Sequence, residues 1–112
     1  MQMHQVNYFL AVCDERSFTR AARRCGVSQP SLTRAIKLME DELGSGLFVR
    51  HRRGARPTSL GMLLHADLAQ IERSIAAVKC KAATFNAGSA GGMAIEERAL
   101  MEQAAVHEEA AE

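Results

Sequence analysis

The sequence predicts a small, mainly α domain: three short helices and a β-hairpin, followed by one long helix. Three observations carry this. The first 43 residues hold three amphipathic runs separated by helix-capping residues and glycine. Residues 47–57 switch to β-branched, aromatic and basic content. Apolar residues from 64 to 85 then recur at heptad spacing. A chain of 112 residues accommodates one such domain with an added element, and is too short for two full domains.

Residues 4–15 make the first helix, because Val6, Phe9, Leu10 and Cys13 fall on one face over two turns. Tyr8 sits off that stripe, and Cys13 reads as a small core hydrophobe. Asp14-Glu15-Arg16 is a polar break. Ser17 caps a second helix from Phe18 to about Arg24, with Phe18, Ala21 and Ala22 inward and Arg20, Arg23 and Arg24 outward. Gly26 ends it, being free to take the left-handed conformation that terminates helices.

Ser28 caps the third helix, and Pro30 is tolerated in its first turn, where a missing N–H costs nothing. Leu32, Ile36, Met39 and Leu43 recur at 4, 3 and 4 residues and form the core stripe. Gln29, Pro30, Thr33, Arg34 and Lys37 lie on another side. Two helices joined by a tight glycine-containing turn make a helix-turn-helix: Ala22 allows close approach, Gly26 turns and Leu32 fills the space between. Gly44 closes the third helix at about Leu43, and Leu38 is left off its core stripe.

Leu47-Phe48-Val49-Arg50 reads as a short strand, and His51-Arg52-Arg53-Gly54-Ala55-Arg56-Pro57 as a basic turn and return. A hairpin beside a helix-turn-helix is a wing, and Arg50, Arg52, Arg53 and Arg56 are its candidates for phosphate or minor-groove contact. The expected fold is therefore a winged helix-turn-helix over residues 1–58. Thr58 or Ser59 starts a long fourth helix, expected over residues 59–85. Its seam is Leu64, Leu68, Ile71, Ile75, Val78, Ala82 and Phe85, spaced 4, 3, 4, 3, 4 and 3. A helix this long cannot bury such a seam on its own small domain, so a homodimer is expected through it. Residues 86–112 begin with a flexible Gly/Ala-rich breaker and continue as an acidic tail, helical or disordered, the residues leaving both open.

Charge is distributed unevenly behind a net +1. Residues 1–58 hold ten Lys and Arg against five Asp and Glu, whereas residues 86–112 hold one against six. A polar, cationic face of Gln, Thr, Arg and Lys opposite a core stripe fits the major groove of double-stranded DNA, with Arg34 able to fork onto guanine and Gln29 to pair with adenine. Three widely separated cysteines, Cys13, Cys25 and Cys80, argue against a disulfide framework. No basic segment followed by an apolar run opens the chain, and no stretch approaches membrane-spanning length, so a soluble cytoplasmic protein is expected. His4, His51, His65 and His107 are far apart, no Gly-rich phosphate loop follows a strand, and no enzyme, metal or cofactor is expected.

The run from His4 to Gly61 resembles the DNA-binding domain of LysR-type transcriptional regulators. The residues that carry the likeness are Phe9-Leu10-Ala11-Val12, Ser17-Phe18-Thr19-Arg20-Ala21-Ala22, Val27 to Ile36, Glu40 to Gly44, Leu47-Phe48-Val49-Arg50, and Thr58 with Gly61. The heptad helix resembles that family's linker helix, which pairs two subunits. The resemblance implies base-reading positions at Gln29, Pro30, Thr33 and Arg34, with Arg53 in the wing; Ser28 and Lys37 complete the candidate DNA-contacting residues of the recognition helix. Thr33 stands where the family more often has Ser and keeps the hydroxyl; Val49 stands where an acidic residue is common. Family members carry a two-lobed effector-binding domain after the linker helix, and the tail here does not resemble its start. The expectation is a regulator truncated after its linker helix, with no small-molecule effector site in this chain. Two alternatives stay open: an interaction protein that forms mixed dimers with full-length relatives, or a non-functional gene fragment.

Overall fold

The structure, a computed structural model, describes residues 1–88. Four helices and one hairpin follow in the order α1 (Met3–Glu15), α2 (Phe18–Cys25), α3 (Gln29–Leu43), β1 (Phe48–His51), β2 (Gly54–Pro57) and α4 (Ser59–Gly88). This is a winged helix-turn-helix followed by a long helix. The described residues divide into two units, the first residues 1–74 and the second beginning at Ile75. The first holds α1 to α3, the hairpin and the first half of α4; residues 75–88 of the second continue the helix. The expected structure of the tail beyond Gly88 falls outside the described residues.

The caps set the helix boundaries. The Ser17 hydroxyl accepts from the Arg20 N–H at 3.1 Å, and the Ser28 hydroxyl from the Ser31 N–H at 3.2 Å. Gly26 ends α2 at φ 69°, with its N–H on the Arg23 carbonyl and the Val27 N–H on the Ala22 carbonyl. Thr58, not Ser59, caps α4: its hydroxyl accepts from the Gly61 N–H at 3.2 Å and donates to the Gly46 carbonyl at 2.7 Å.

α1 is the hub of the first unit. Phe9, Val6 and Val12 are fully buried together with Leu32, Ile36, Met39 and Leu47. Burial of each large side chain stabilises the fold by about 1.5–3 kcal/mol. Phe48 joins hairpin to helices, its ring 5.2 Å from Phe9 and 5.7 Å edge-on from Phe18. Buried Gln5 ties α1 to α3, donating from Nε2 to the Ala35 carbonyl at 3.4 Å while its Oε1 accepts from the Gln2 N–H at 2.7 Å. Leu43 departs from its expected place in the core stripe of α3. It occupies the last residue before the Gly44 turn and is exposed.

The seam of α4 is corrected at its N-terminal end. Leu68 is only 3% exposed and so serves its own domain rather than a partner, and Leu64 is half-buried against the same core. Heptad spacing alone did not distinguish intramolecular packing from a seam between copies. Ile71, Val78, Ala82 and Phe85 are exposed, Val78 at 65% and Phe85 at 52%, and Ile75 is half-buried. α4 also runs three residues beyond the expected end at Phe85. Asn86, Ala87 and Gly88 stay helical, since one Asn and one Gly cost a helix only about 1 kcal/mol each. No described helix is long and apolar enough to cross a membrane.

Two residues join the wing to the corner between α1 and α2. Arg16 ends α1 in the left-handed region, φ 54° and ψ 29°, and is the one described non-glycine residue with positive φ. That conformation costs an L-residue with a Cβ roughly 1–2 kcal/mol. Its carbonyl accepts the Ala55 N–H at 2.9 Å. Gly54 sits against the same carbonyl: a Cβ there would lie 2.2 Å from the Arg16 oxygen, and its φ of 138° is one that glycine alone adopts readily.

Candidate nucleic-acid interface

α3 presents its polar side because Leu32, Ala35, Ile36 and Met39 commit the opposite side to the core. Gln29, Pro30, Thr33, Arg34, Lys37 and Leu38 line one shallow groove, whose far wall is Arg50 of β1. Five of the six residues expected on the recognition helix thus share one concavity with the first expected wing residue. Ser28 does not line it. Its hydroxyl caps the helix and donates to Ser31 Oγ at 2.8 Å, a local role set by its position at the helix start.

Arg50 is held by an aromatic contact. Its guanidinium lies 4.2 Å from the centre of the Phe18 ring, a cation–π contact at the start of α2. A second concavity on the other side of Arg50 is formed by Ser17 to Arg20 at the start of α2 and by His51, Arg52, Arg53 and Gly54 of the wing. Arg52 and Arg53 form the two-residue turn between the paired strands, in which His51 opposes Gly54. The Arg53 N–H donates to His51 Nδ1 at 3.3 Å. Arg56 opposes Val49 and is exposed, whereas neighbouring Ala55 is buried on the opposite face of the hairpin.

The cations fall into two classes. Arg24 lies 3.0 Å from Asp14 and 3.4 Å from Glu15, and Arg20 donates to the Glu15 carbonyl at 2.6 Å. Donation of a hydrogen bond to the Asp14 carboxylate raises the Arg24 guanidinium above its ordinary value. Among the described residues, Arg34, Lys37, Arg50, Arg52, Arg53 and Arg56 have no carboxylate within ion-pair distance. A surface that keeps cations unneutralised suits a polyanion.

Sequence reasoning missed two contributors. The Thr19 hydroxyl donates to Gln29 Oε1 at 3.2 Å, which restrains the amide at the mouth of the groove. Leu38 is 56% exposed and forms part of the groove, giving it an apolar floor. Leu38 was legible as an apolar residue off the core stripe; Thr19 needed the packing of α2 on α3. Burial, with a smaller contribution from Asp14, pushes the Cys13 thiol up to about 11, and burial also raises Cys25. Both of these cysteines are half-buried, and a raised thiol pKa disfavours the nucleophilic thiolate; Cys80 is exposed. Among the described residues no three His, Cys, Asp or Glu side chains are grouped to hold a metal ion.

Residues 3–62 match the family described as "Bacterial regulatory helix-turn-helix protein, lysR family". The chain is 44% identical over 71 residues to the transcriptional regulator BudR of Klebsiella aerogenes, covering 63% of this chain and 50% of that protein. It is 42% identical over 71 residues to a probable cat1 operon transcriptional activator of Acinetobacter lwoffii, covering 23% of that protein. The chain therefore spans half or less of the length of these relatives. Its fold is similar to that of the CbnR DBD in a crystal structure with DNA, with a TM-score of 0.70 and 30% identity, covering 77% of this chain and 99% of that one. It is also similar to the BenM DBD in complex with catB site 1 DNA, with a TM-score of 0.73 and 28% identity, covering 82% and 99%.

Proposed function

The chain belongs to the lysR family of bacterial regulatory helix-turn-helix proteins, and on that premise we propose that it binds a specific double-stranded DNA sequence as a homodimer and regulates transcription there, without catalysis. The observation that carries this reading is the single groove uniting Gln29, Pro30, Thr33, Arg34 and Lys37 with Arg50, all of its cations free of ion pairs among the described residues.

The division of labour follows from side-chain chemistry. α3 enters the major groove. Arg34 forks onto O6 and N7 of a guanine, and Gln29, restrained by Thr19, meets the N6 and N7 edge of an adenine. Thr33 bonds a base edge or touches a thymine methyl. Arg50, Arg52, Arg53 and Arg56 contact phosphate or the minor groove and make affinity fall with salt. Two copies joined through the exposed apolar positions Ile71, Val78, Ala82 and Phe85 each read one half-site. The protein works where the DNA is, in the bacterial cytoplasm.

The test starts with selection of a preferred duplex from a random pool. Arg34→Ala should then weaken binding to that duplex by about 1–3 kcal/mol while changing binding to random DNA far less. Equal losses on both duplexes would make Arg34 a phosphate contact. A stoichiometry of one chain per duplex would remove the homodimer.

A further inference from the structure

On the far side of the wing, a third concavity is formed by Arg16, His51, Arg53, Ala55, Arg56 and Pro57. It shares His51 and Arg53 with the concavity at the start of α2, which in turn shares Arg50 with the groove along α3. Three arginines converge here from two elements. Among the described residues none of them has a carboxylate within ion-pair distance. Arg16 is not part of the wing. Its carbonyl is fixed to the Ala55 N–H at 2.9 Å and pressed against Gly54, which pins its backbone to the hairpin, and it lines the concavity together with Arg53 and Arg56. It also occupies a left-handed backbone position, where glycine or asparagine is the residue of least strain.

We propose that Arg16, with Arg53 and Arg56, forms a phosphate-binding cradle for the DNA backbone, extending the interface around the wing to the corner between α1 and α2. This rests on the DNA-binding reading above and adds a contact that lies outside both the recognition helix and the hairpin. The cradle binds the phosphodiester chain and is blind to base identity. Continuity with the other two concavities lets one duplex engage all three. The cost of holding a long cationic side chain in the left-handed region is offset by what the guanidinium contacts.

The experiment compares the unsubstituted protein with Arg16→Asn, Arg16→Lys and Arg34→Ala on a selected duplex and on random duplex, across a salt series. Asparagine tolerates the left-handed backbone, so the fold and its Tm should be kept or improved. Arg16→Asn should weaken binding by the same factor on both duplexes and reduce the slope of log affinity against log salt by about 0.9, the contribution of one phosphate contact. Arg16→Lys should restore the slope. An unchanged slope in Arg16→Asn, with Arg34→Ala still losing the selected duplex, overturns the cradle and leaves base reading intact. A loss confined to the selected duplex overturns it too, since Arg16 would then be reading bases. Absence of duplex binding by the unsubstituted protein overturns both the cradle and the function on which it rests.

Discussion

Arg20 and Arg24 of α2 and the arginines of the wing are both exposed and chemically identical, yet their surroundings differ. Arg20 and Arg24 turn back onto Asp14 and Glu15 at the end of α1 and staple two helices together. Arg50, Arg52, Arg53 and Arg56 stand on a hairpin that carries no acidic residue, and Arg50 leans on an aromatic ring. Position relative to carboxylates, more than the number of cations, decides where a polyanion can sit.

Three experiments test this contrast. The largest effect is expected from Gly54→Ala, which places a methyl 2.2 Å from the Arg16 carbonyl at a glycine-only φ. It should cost about 3 kcal/mol, lower Tm by roughly 10–20 °C, and detach the wing arginines while leaving the α2 pairs in place. A thermal melt matching the parent would mean that the wing is not anchored as described. Next comes Arg53→Ala against Arg24→Ala. The first should flatten the salt slope of DNA binding by about 0.9 and the second should barely move it. Equal slopes would abolish the distinction between the two sets of arginines. The smallest effect is expected from Asp14→Asn combined with Glu15→Gln, which frees Arg20 and Arg24. Surface pairs contribute less than about 1 kcal/mol, so affinity for random duplex should rise by less than about fivefold. A fall in affinity would show that these carboxylates help the interface by orienting the arginines.

The elements were legible because their punctuation is local. Ser17, Gly26, Ser28 and Gly44 act within a turn of their own position, and each sits where the reading of the chain put it. The recognition face was legible for the same reason, since the core stripe of α3 fixes its opposite side. What escaped depends on neighbours distant in sequence. Thr19 reaches Gln29 across the helix-turn-helix, and Gln5 joins α1 to α3 across 30 residues. Leu64 and Leu68 fit a heptad as well as Phe85 does, and only the packing of α4 on Phe9, Leu47 and their neighbours separates them. In sequence Arg16 belongs to a polar break, and nothing local announces a left-handed residue pressed against a hairpin.

Thr58 carries a further consequence. Its N–H binds the Leu47 carbonyl at 2.9 Å, its hydroxyl binds the Gly46 carbonyl and caps α4, and Gly61 leaves no room for a methyl, which would lie 2.5 Å from the Leu47 oxygen. The root of α4 is thus mortised into the loop that follows the recognition helix, with no slack in the joint. In a dimer built through that helix, the separation of the two half-sites would be measured out by helix residues beyond Leu68, at 1.5 Å each, and an insertion there would change the operator the pair can span without altering a single base contact.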